Sequence, residues 1–482
     1  MEPREVRSVD RISLKPQPCA DGPFKGYYKL DRINSVATNT PSTVFNNLMH
    51  LVSEDNLKRA FRGLDGAKAT GIDHVTKSQY GKDLHANIEK LVDEIRRGGW
   101  RPRPSRIVHI PKPSGGKRPL AIGCLEDKIV QAAVAKVLEA IYEPRFHRES
   151  YGFRPKRSAH QALHRVHSSI TKHGKHTVVV EMDIEKFFNH IDHDKLMAFI
   201  QERIQDQHFL RLIRRMLRNS ILSDDGSIID NKTGTPQGSP VSPTLANIYL
   251  HHVLDEWFDK NYIAQATMVR YADDAVFIFS DPDKARSFQA ALVKRFAEFG
   301  LKLNLDKSGI TELQPTKGNI ITFLGFDLYW GRARITRGVL KLRTTATRLA
   351  KAVTNFTNWI RKVHSRLPTK EIWKRASARL QGHYNYYAVS FNGDAVYQFY
   401  QSCLRNLFKW LNRRSQKPSM TWEEFRRKLR FKPLQRPPLG AELLDITNFT
   451  GTKLKHKPKS RMRKSRPSGS VRSNGRQRPL FT

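Results

Sequence analysis

The chain has 482 residues, with 85 Lys or Arg against 45 Asp or Glu, a formal charge of +40. Apolar residues, at 39%, suffice for cores in two or three domains, and the cationic excess predicts a polyanionic partner, most simply nucleic acid. No apolar run is long enough to span a bilayer, no lipidation motif or signal region is evident, and Cys19, Cys124 and Cys403 form no CxxC pair; these features predict no membrane, no zinc, reduced thiols and a cytoplasmic location, nucleoid- or ribonucleoprotein-associated.

In chain order, residues 1–42 are polar and weakly periodic and read as an N-terminal extension. Residues 43–64 carry helical apolar spacing, and a second helix is expected from about 80 to 97. A strand at 105–110 leads to a Pro/Gly turn and returns through Lys117 to Ile122. This hairpin brings Lys112, Lys117 and Arg118 together, where cations can clamp a triphosphate. In so basic a chain an ordinary basic hairpin tip is an even alternative.

The run Thr177–Met182 reads as a strand that ends on Asp183, with Phe187 and Phe188 beyond it. Phe187 reads as a core residue, and Asp192 as a helix cap rather than a metal ligand. Gly234 to Pro240 is a Gly/Pro-rich loop entering a helix from Leu245 to Trp257. Such a loop lets backbone approach a base pair closely, and Gln237 can donate hydrogen bonds there; a helix-initiating turn is the plain alternative. His251 and His252 are read as mid-helix, partly exposed and without acidic neighbours.

Next comes the most telling run, Tyr271-Ala272-Asp273-Asp274, flanked by Met268-Val269 and Val276 to Phe279. It predicts a buried hairpin with two carboxylates at its tip. Adjacent carboxylates repel and are costly to desolvate, and a hard cation such as Mg²⁺ relieves both penalties. With Asp183 ending a second strand, three carboxylates can surround two metal ions, the arrangement of in-line phosphoryl or nucleotidyl transfer. Beyond residue 335 the spacing turns helical, with further helices at about 370–389 and 394–413, a separate module with a basic outer face. From Lys453 to Arg478 there are eleven Lys or Arg and no acidic residue, which predicts disorder in isolation.

Several stretches, taken in order, resemble the reverse transcriptases and maturases encoded by group II introns. They are ATGIDHVT, IPKPSGGKRPLAIGCLEDKIVQ, YGFRPKRSAHQAL, VVVEMDIEKFFNHIDHDKL, GTPQGSPVSPTLANIYLHHVLDEWF, RYADDAVFIF, GLKLNLDKSGIT and FLGF. The resemblance covers about residues 45 to 435 and implies an α+β right-hand polymerase. Fingers and palm would occupy 43–335, a helical thumb or maturase domain 336–435, and a basic tail 436–482.

It implies that Asp183, Asp273 and Asp274, with the Ile184 carbonyl, bind two Mg²⁺ ions, for which Mn²⁺ can substitute. Lys112, Lys117, Arg118, Phe188, Gln237 and Gly238 would meet the dNTP. Phe188 would act as the sugar gate that excludes a 2′-hydroxyl, and Lys307 would protonate pyrophosphate. RNA contacts are expected from Lys341, Arg348, Arg361, Arg379, His383 and Tyr384, although at least half of the module's aromatics should pack its core. The implied partners are an RNA template and primer, group II intron RNA, a DNA target and dNTPs. Many relatives end in a zinc-containing HNH endonuclease; without paired cysteines, DNA cleavage is not expected here, and priming would use an existing 3′ end. A domesticated reverse transcriptase without an intron would show the same catalysis. A non-catalytic splicing factor would have no need of three clustered carboxylates.

Overall fold

The computed structural model describes residues 24, 26–111, 117–174, 177–223, 226–315, 318–331, 338–414 and 420–447. Part of the expected N-terminal extension is helical: α1 (Leu30–Asn39) buries Leu30 and Ala37, and its Asn34 donates to the Ala140 carbonyl at 3.0 Å. The expected helix over 43–64 is shorter, α2 (Glu54–Gly63). Upstream of it the backbone is held elsewhere. Phe45 bridges Ile204, and Leu48 N donates to the Asp206 carboxylate at 2.7 Å. Ser53 caps α2, which is followed by α3 (Lys77–Tyr80) and α4 (Leu84–Arg96).

The basic hairpin pairs β1 (Ser105–Pro111) with β2 (Lys117–Ile122), in register from Arg106 opposite Ile122 to Pro111 opposite Lys117. The helix α5 (Leu125–Tyr142) is apolar almost all round and buried on nearly every side, as a central spine must be. A Ser158–Gln161 capping box starts α6 (Ala159–His173).

Then come β3 (Thr177–Met182), α7 (His193–Gln201) capped by Asp192, and α8 (Gln207–Leu217). The short pair β4 (Ile221–Leu222) and β5 (Ile228–Ile229) joins the hairpin sheet in the order β2-β1-β4-β5. The expected helix from Leu245 to Trp257 is α9 (Ser242–Leu250), a π-turn at 251–255, and α10 (Glu256–Tyr262).

A second sheet holds β6 (Ala266–Tyr271), β7 (Asp274–Phe279) and β8 (Ile310–Leu313), in the order β6-β7-β3-β8, with α11 (Pro282–Glu298) before β8. It is covered on both faces, which explains its unbroken apolar runs. Val178, Val180, Phe277 and Phe279 enter the core shared with α5, α9 and α11, while Val179, Val269, Val276 and Ile278 meet α6 and a third sheet.

That third sheet is β9 (Ile320–Phe323), β10 (Phe326–Gly331) and β11 (Val339–Thr344). Among the described residues four helices follow: α12 (Ala346–Val363), α13 (Thr369–Tyr387), α14 (Gly393–Leu411) and α15 (Trp422–Phe431). They close their own core around Ile360, Ile372, Leu380, Cys403 and Leu407. The class is α+β, as the resemblance implies. The tail from Lys453 onward lies outside the described residues. Among those described, no helix is long and apolar enough to cross a membrane.

Candidate active site

The β6–β7 hairpin turns on Ala272 and Asp273, with Tyr271 opposite Asp274 and Ala272 at φ +58°. On the other side of β7, Met182 pairs with Ala275, so Asp183, one residue past β3, comes alongside Asp274. Asp183 is held from behind: its N–H donates to Ser308 Oγ at 3.0 Å and its carbonyl accepts from Asn304 N at 2.8 Å. Glu185 N donates to Lys302 O on the same side, so Ile184, buried between them, turns its peptide groups to the other edge.

Asp183 and Asp274 line one open cleft of about 600 Å³ with Lys307, Leu324, Gly325 and Arg348. Solvent reaches Asp274 through the cleft, yet the surrounding protein desolvates its carboxyl, and Asp273 and Asp183 add negative charge. Together these push its pKa up to about 7 against the opposing cations Lys307 and Arg348. Lys307 Nζ stands 3.3 Å from the Asp183 carboxylate.

This concentration of hard oxygen donors and negative charge fits a divalent cation. Among the described residues, however, no three His, Cys, Asp or Glu side chains are arranged to hold one ion as they stand.

Behind the turn lies a pair that sequence reasoning passed over. Arg270 is fully buried, and its guanidinium donates to both oxygens of buried Asp255 at 2.8 and 2.5 Å. Its third nitrogen reaches the Ala272 carbonyl at 3.0 Å and Asn247 Oδ1 at 3.1 Å. An ion pair thus fixes the carboxylate turn, and the adjacent guanidinium holds Asp255 well below the usual carboxylate range despite its burial. The available signal was an arginine inside an apolar strand, since a charge there demands a partner.

The loop from Gly234 to Pro240 is wedged between two other candidates. Gly234 N donates to Ile191 O at 2.8 Å, Thr235 N to Phe188 O at 2.7 Å, and His193 Nε2 meets Gly234 O at 2.6 Å. A Cβ on Gly234 would fall 2.5 Å from Phe188 O, so only glycine fits. On the other flank Ala121 N donates to Gln237 O at 2.8 Å, and a Cβ on Gly238 would stand 2.9 Å from Ala121 O. Phe188, Gln237, Gly238 and the end of β2 are therefore neighbours. Lys117 and Arg118 begin that strand, and Lys112 lies outside the described residues. Phe187 is buried while Phe188 is only partly so.

The candidates of the helical module separate. Arg348 reaches the cleft, Lys341 is half-buried on β11, Arg361 is exposed on α12, and Arg379 lies over the Trp359 ring at 4.7 Å. His383 and Tyr384 require correction. Tyr384 is buried in the bundle with its hydroxyl on Gln435 O at 3.2 Å. His383 stacks on Phe399 with ring centres 3.8 Å apart, and burial lowers its pKa to about 4, so it is neutral. Neither offers a cation or an open ring to RNA. Tyr386 instead leaves the bundle, and its hydroxyl donates to Leu324 O at 2.8 Å on the wall of the cleft.

A second correction concerns His251 and His252. The π-turn rotates both inward, so they are buried beside Glu256 rather than half-exposed without acids. Cys124 and Cys403 are buried free thiols whose pKa values burial raises.

Comparison with known proteins agrees with this geometry. The family profile "Reverse transcriptase (RNA-dependent DNA polymerase)" matches residues 110–328. Protein YkfC of Escherichia coli is 32% identical over 339 residues, which are 62% of this chain and 87% of YkfC. The group II intron-encoded protein LtrA of Lactococcus lactis is 35% identical over 229 residues, 46% of this chain and 37% of LtrA. An uncharacterized 91 kDa protein in the cob intron of Schizosaccharomyces pombe is 40% identical over 238 residues, 48% of this chain and 28% of that protein. The chain thus spans most of one relative and about a third of the other two. With its carboxylate hairpin on a sheet of order β6-β7-β3-β8, the chain belongs to the reverse transcriptases of right-hand fold, and over part of its length it is similar to a group II intron-encoded protein.

Proposed function

We propose that this chain is an RNA-directed DNA polymerase that adds dNTPs to a primer 3′ end on an RNA template and assists splicing of a group II intron RNA. The observation that carries the reading is the convergence of Asp183 and Asp274 on one cleft, with Asp273 in the adjoining turn and the Asp274 pKa driven up to about 7. Three carboxylates at such mutual cost are hard to explain in a protein that only binds RNA.

In this reading Asp183, Asp273, Asp274 and the Ile184 carbonyl hold Mg²⁺. When bound, the metal lowers the cost of deprotonating the primer hydroxyl and of charge on the leaving pyrophosphate. The chain's own residues orient the reactants. Phe188 closes the space beneath the sugar. Gln237 and the Gly238 backbone border the nascent pair, and Lys112, Lys117 and Arg118 are assigned to the triphosphate clamp. Lys307 donates a proton to pyrophosphate, for which its ammonium must leave Asp183. Positioning of this kind accounts for most of the rate in phosphoryl chemistry. The maturase role is supported by the likeness to a group II intron-encoded protein and by the exposed cations of the helical module, Arg361 and Arg379.

Primer extension by Asp183→Asn and Asp273→Asn tests the polymerase assignment. The expected outcome is loss of extension by at least about a thousandfold, with primer–template affinity within a few-fold of wild type. Extension at near wild-type rate by either variant removes the assignment. Splicing of a group II intron RNA, assayed with the same variants, should survive if the maturase role depends on binding alone.

A further inference from the structure

The active-site sheet does not end at β6. Ser150 bridges Arg270 in parallel, Tyr151 N donates to Arg270 O at 2.8 Å, and Arg270 N donates to Glu149 O at 2.9 Å. The segment 149–151 is thus a short extra strand on the outer edge of β6. The next residue, Gly152, presses on the carboxylate turn. A Cβ there would fall 2.3 Å from Ala272 N, and the Gly152 carbonyl accepts from Asn247 Nδ2 at 2.8 Å. Beyond it Arg154 is buried; it grips both carboxylate oxygens of Glu143 and donates to the carbonyls of His147 and Ser150, each at 2.7 Å.

Between these anchors stands Phe153. It is 51% exposed, belongs to none of the hydrophobic cores among the described residues, and holds φ at +58°. Bulky residues rarely adopt that conformation, which persists only where the surroundings impose it and is enriched at functional sites. A single exposed phenylalanine is ordinary. One held rigid and strained, next to the backbone of a catalytic turn in a strongly cationic chain, is not.

Its place on the sheet indicates which strand of a duplex it meets. Segment 149–151 lies two strand spacings from β7, so Phe153 stands on the order of 10 Å from Asp274 on the β6 side. The cations of the cleft, Lys307 and Arg348, lie with Asp183 beyond β7. The cationic flank suits the primer backbone, and the β6 flank falls to the strand paired with it. The template base at the site of addition lies beyond the last completed pair and has one face that the duplex does not cover. Aromatic rings bind such faces irrespective of base identity.

We propose that Phe153 is a positioning residue on which the template nucleotide at the site of addition stacks. The inference rests on the polymerase reading, but its readout does not need catalysis.

The test uses the full chain with a primer–template carrying 2-aminopurine at the templating position, without dNTP. Wild type and Phe153→Trp should quench the probe alike, whereas Phe153→Ala and Phe153→Gly should not. The two small variants should bind primer–template about 5- to 100-fold more weakly, the range expected when one stacking partner is removed. Phe153→Gly relieves the positive φ, so its Tm should equal or exceed that of wild type, which separates lost stacking from lost folding. Wild-type affinity and quenching in Phe153→Ala and Phe153→Gly overturn the proposal. So does quenching that responds to Phe153 only when the probe sits at the primer terminus. A wild-type chain that quenches in this pattern yet extends no primer supports the stacking and refutes the polymerase reading instead.

Discussion

Phe188 and Phe187 show how adjacent residues divide. Phe187 fills the core, while Phe188, partly exposed, carries the carbonyl that receives Thr235 N. Truncating the Phe188 ring leaves that main-chain bond intact, so Phe188→Ala should open space under the sugar without displacing the loop. The expected outcome is a rise of about tenfold or more in ribonucleotide over deoxyribonucleotide incorporation, read by competition in primer extension, with Tm lowered only modestly. Unchanged discrimination would return Phe188 to a packing role.

Asp127 makes a different prediction. It is buried at the start of α5, and desolvation pushes its pKa up to about 7 although Arg103 N donates to it at 3.1 Å. A carboxyl whose folded pKa lies above its unfolded value favours folding in its protonated form. That contribution is present below about pH 4 and is lost as pH rises towards 7. Asp127→Asn keeps an acceptor for Arg103 and removes the cost of charge. It should stabilise the protein by up to about 3 kcal/mol above pH 7, with the gain vanishing near pH 4. Thermal melts across that range check both sign and window.

The three aspartates were legible as polar breaks in apolar runs. The Arg270–Asp255 pair was not, because its partners meet only once the π-turn docks on β6. His383 and Tyr384 were misjudged because composition places aromatics beside cations without saying which face of a helix is buried.

Among the elements, α6 does the most to join the parts. Three of its histidines, spaced along one face, meet carbonyls from separate segments. His160 Nε2 lies 2.8 Å from Tyr386 O, His164 Nδ1 2.7 Å from Ile446 O, and His167 Nε2 3.1 Å from Leu340 O. One helix thereby fastens α13, the segment after α15 and the β11 sheet to the carboxylate sheet. His167 is buried, and desolvation lowers its pKa, so it serves as a neutral donor. His167→Leu keeps much of the volume but strands the Leu340 carbonyl. It should cost about 1–3 kcal/mol in urea unfolding. Because Tyr386 in turn holds Leu324 on the wall of the cleft, primer extension should fall more steeply with temperature than in wild type. A variant as stable as wild type would show that water replaces the ring there. Sequence reasoning made no assignment for these histidines, whose partners come from up to 282 residues away. The shortening of α2 has the same origin in distant partners, Arg203 and Asp206.

For the whole molecule, charge is the dominant quantity: the formal +40 includes eleven Lys or Arg between Lys453 and Arg478. Contacts made by such a segment should be non-specific and salt-dependent, while the helical module sets cations such as Arg361 and Arg379 on a fixed frame. Deleting residues 452–482 should weaken binding to an intron RNA and an unrelated RNA alike. It should also flatten the slope of log affinity against log salt by about 0.7–0.9 for each phosphate the tail had neutralised. Primer extension at low salt should survive. Loss of preference for the intron RNA alone, with the salt slope unchanged, would make the tail a recognition element. At this scale the fold class came from the family resemblance, and the helical spacing read from residue 335 onward began too early, because Val339–Thr344 is a strand of the third sheet and the helices start at Ala346. The joining of the parts was not readable, because it depends on main-chain carbonyls that no side-chain pattern reports.

The loop at Gly234–Pro240 reaches its neighbours mostly through its own main chain, to Ile191 and Phe188 on one side and Ala121 on the other. Gln237 has its carbonyl in that frame, and its side chain makes only a long contact, 3.5 Å, to Asn189. Geometry and chemistry are thus carried by different atoms of one residue. The side chain at 237 can be exchanged as a cartridge in a fixed holder, so a saturation library at that position should retune nucleotide choice across many viable enzymes, whereas the same library at Gly234 should yield almost none.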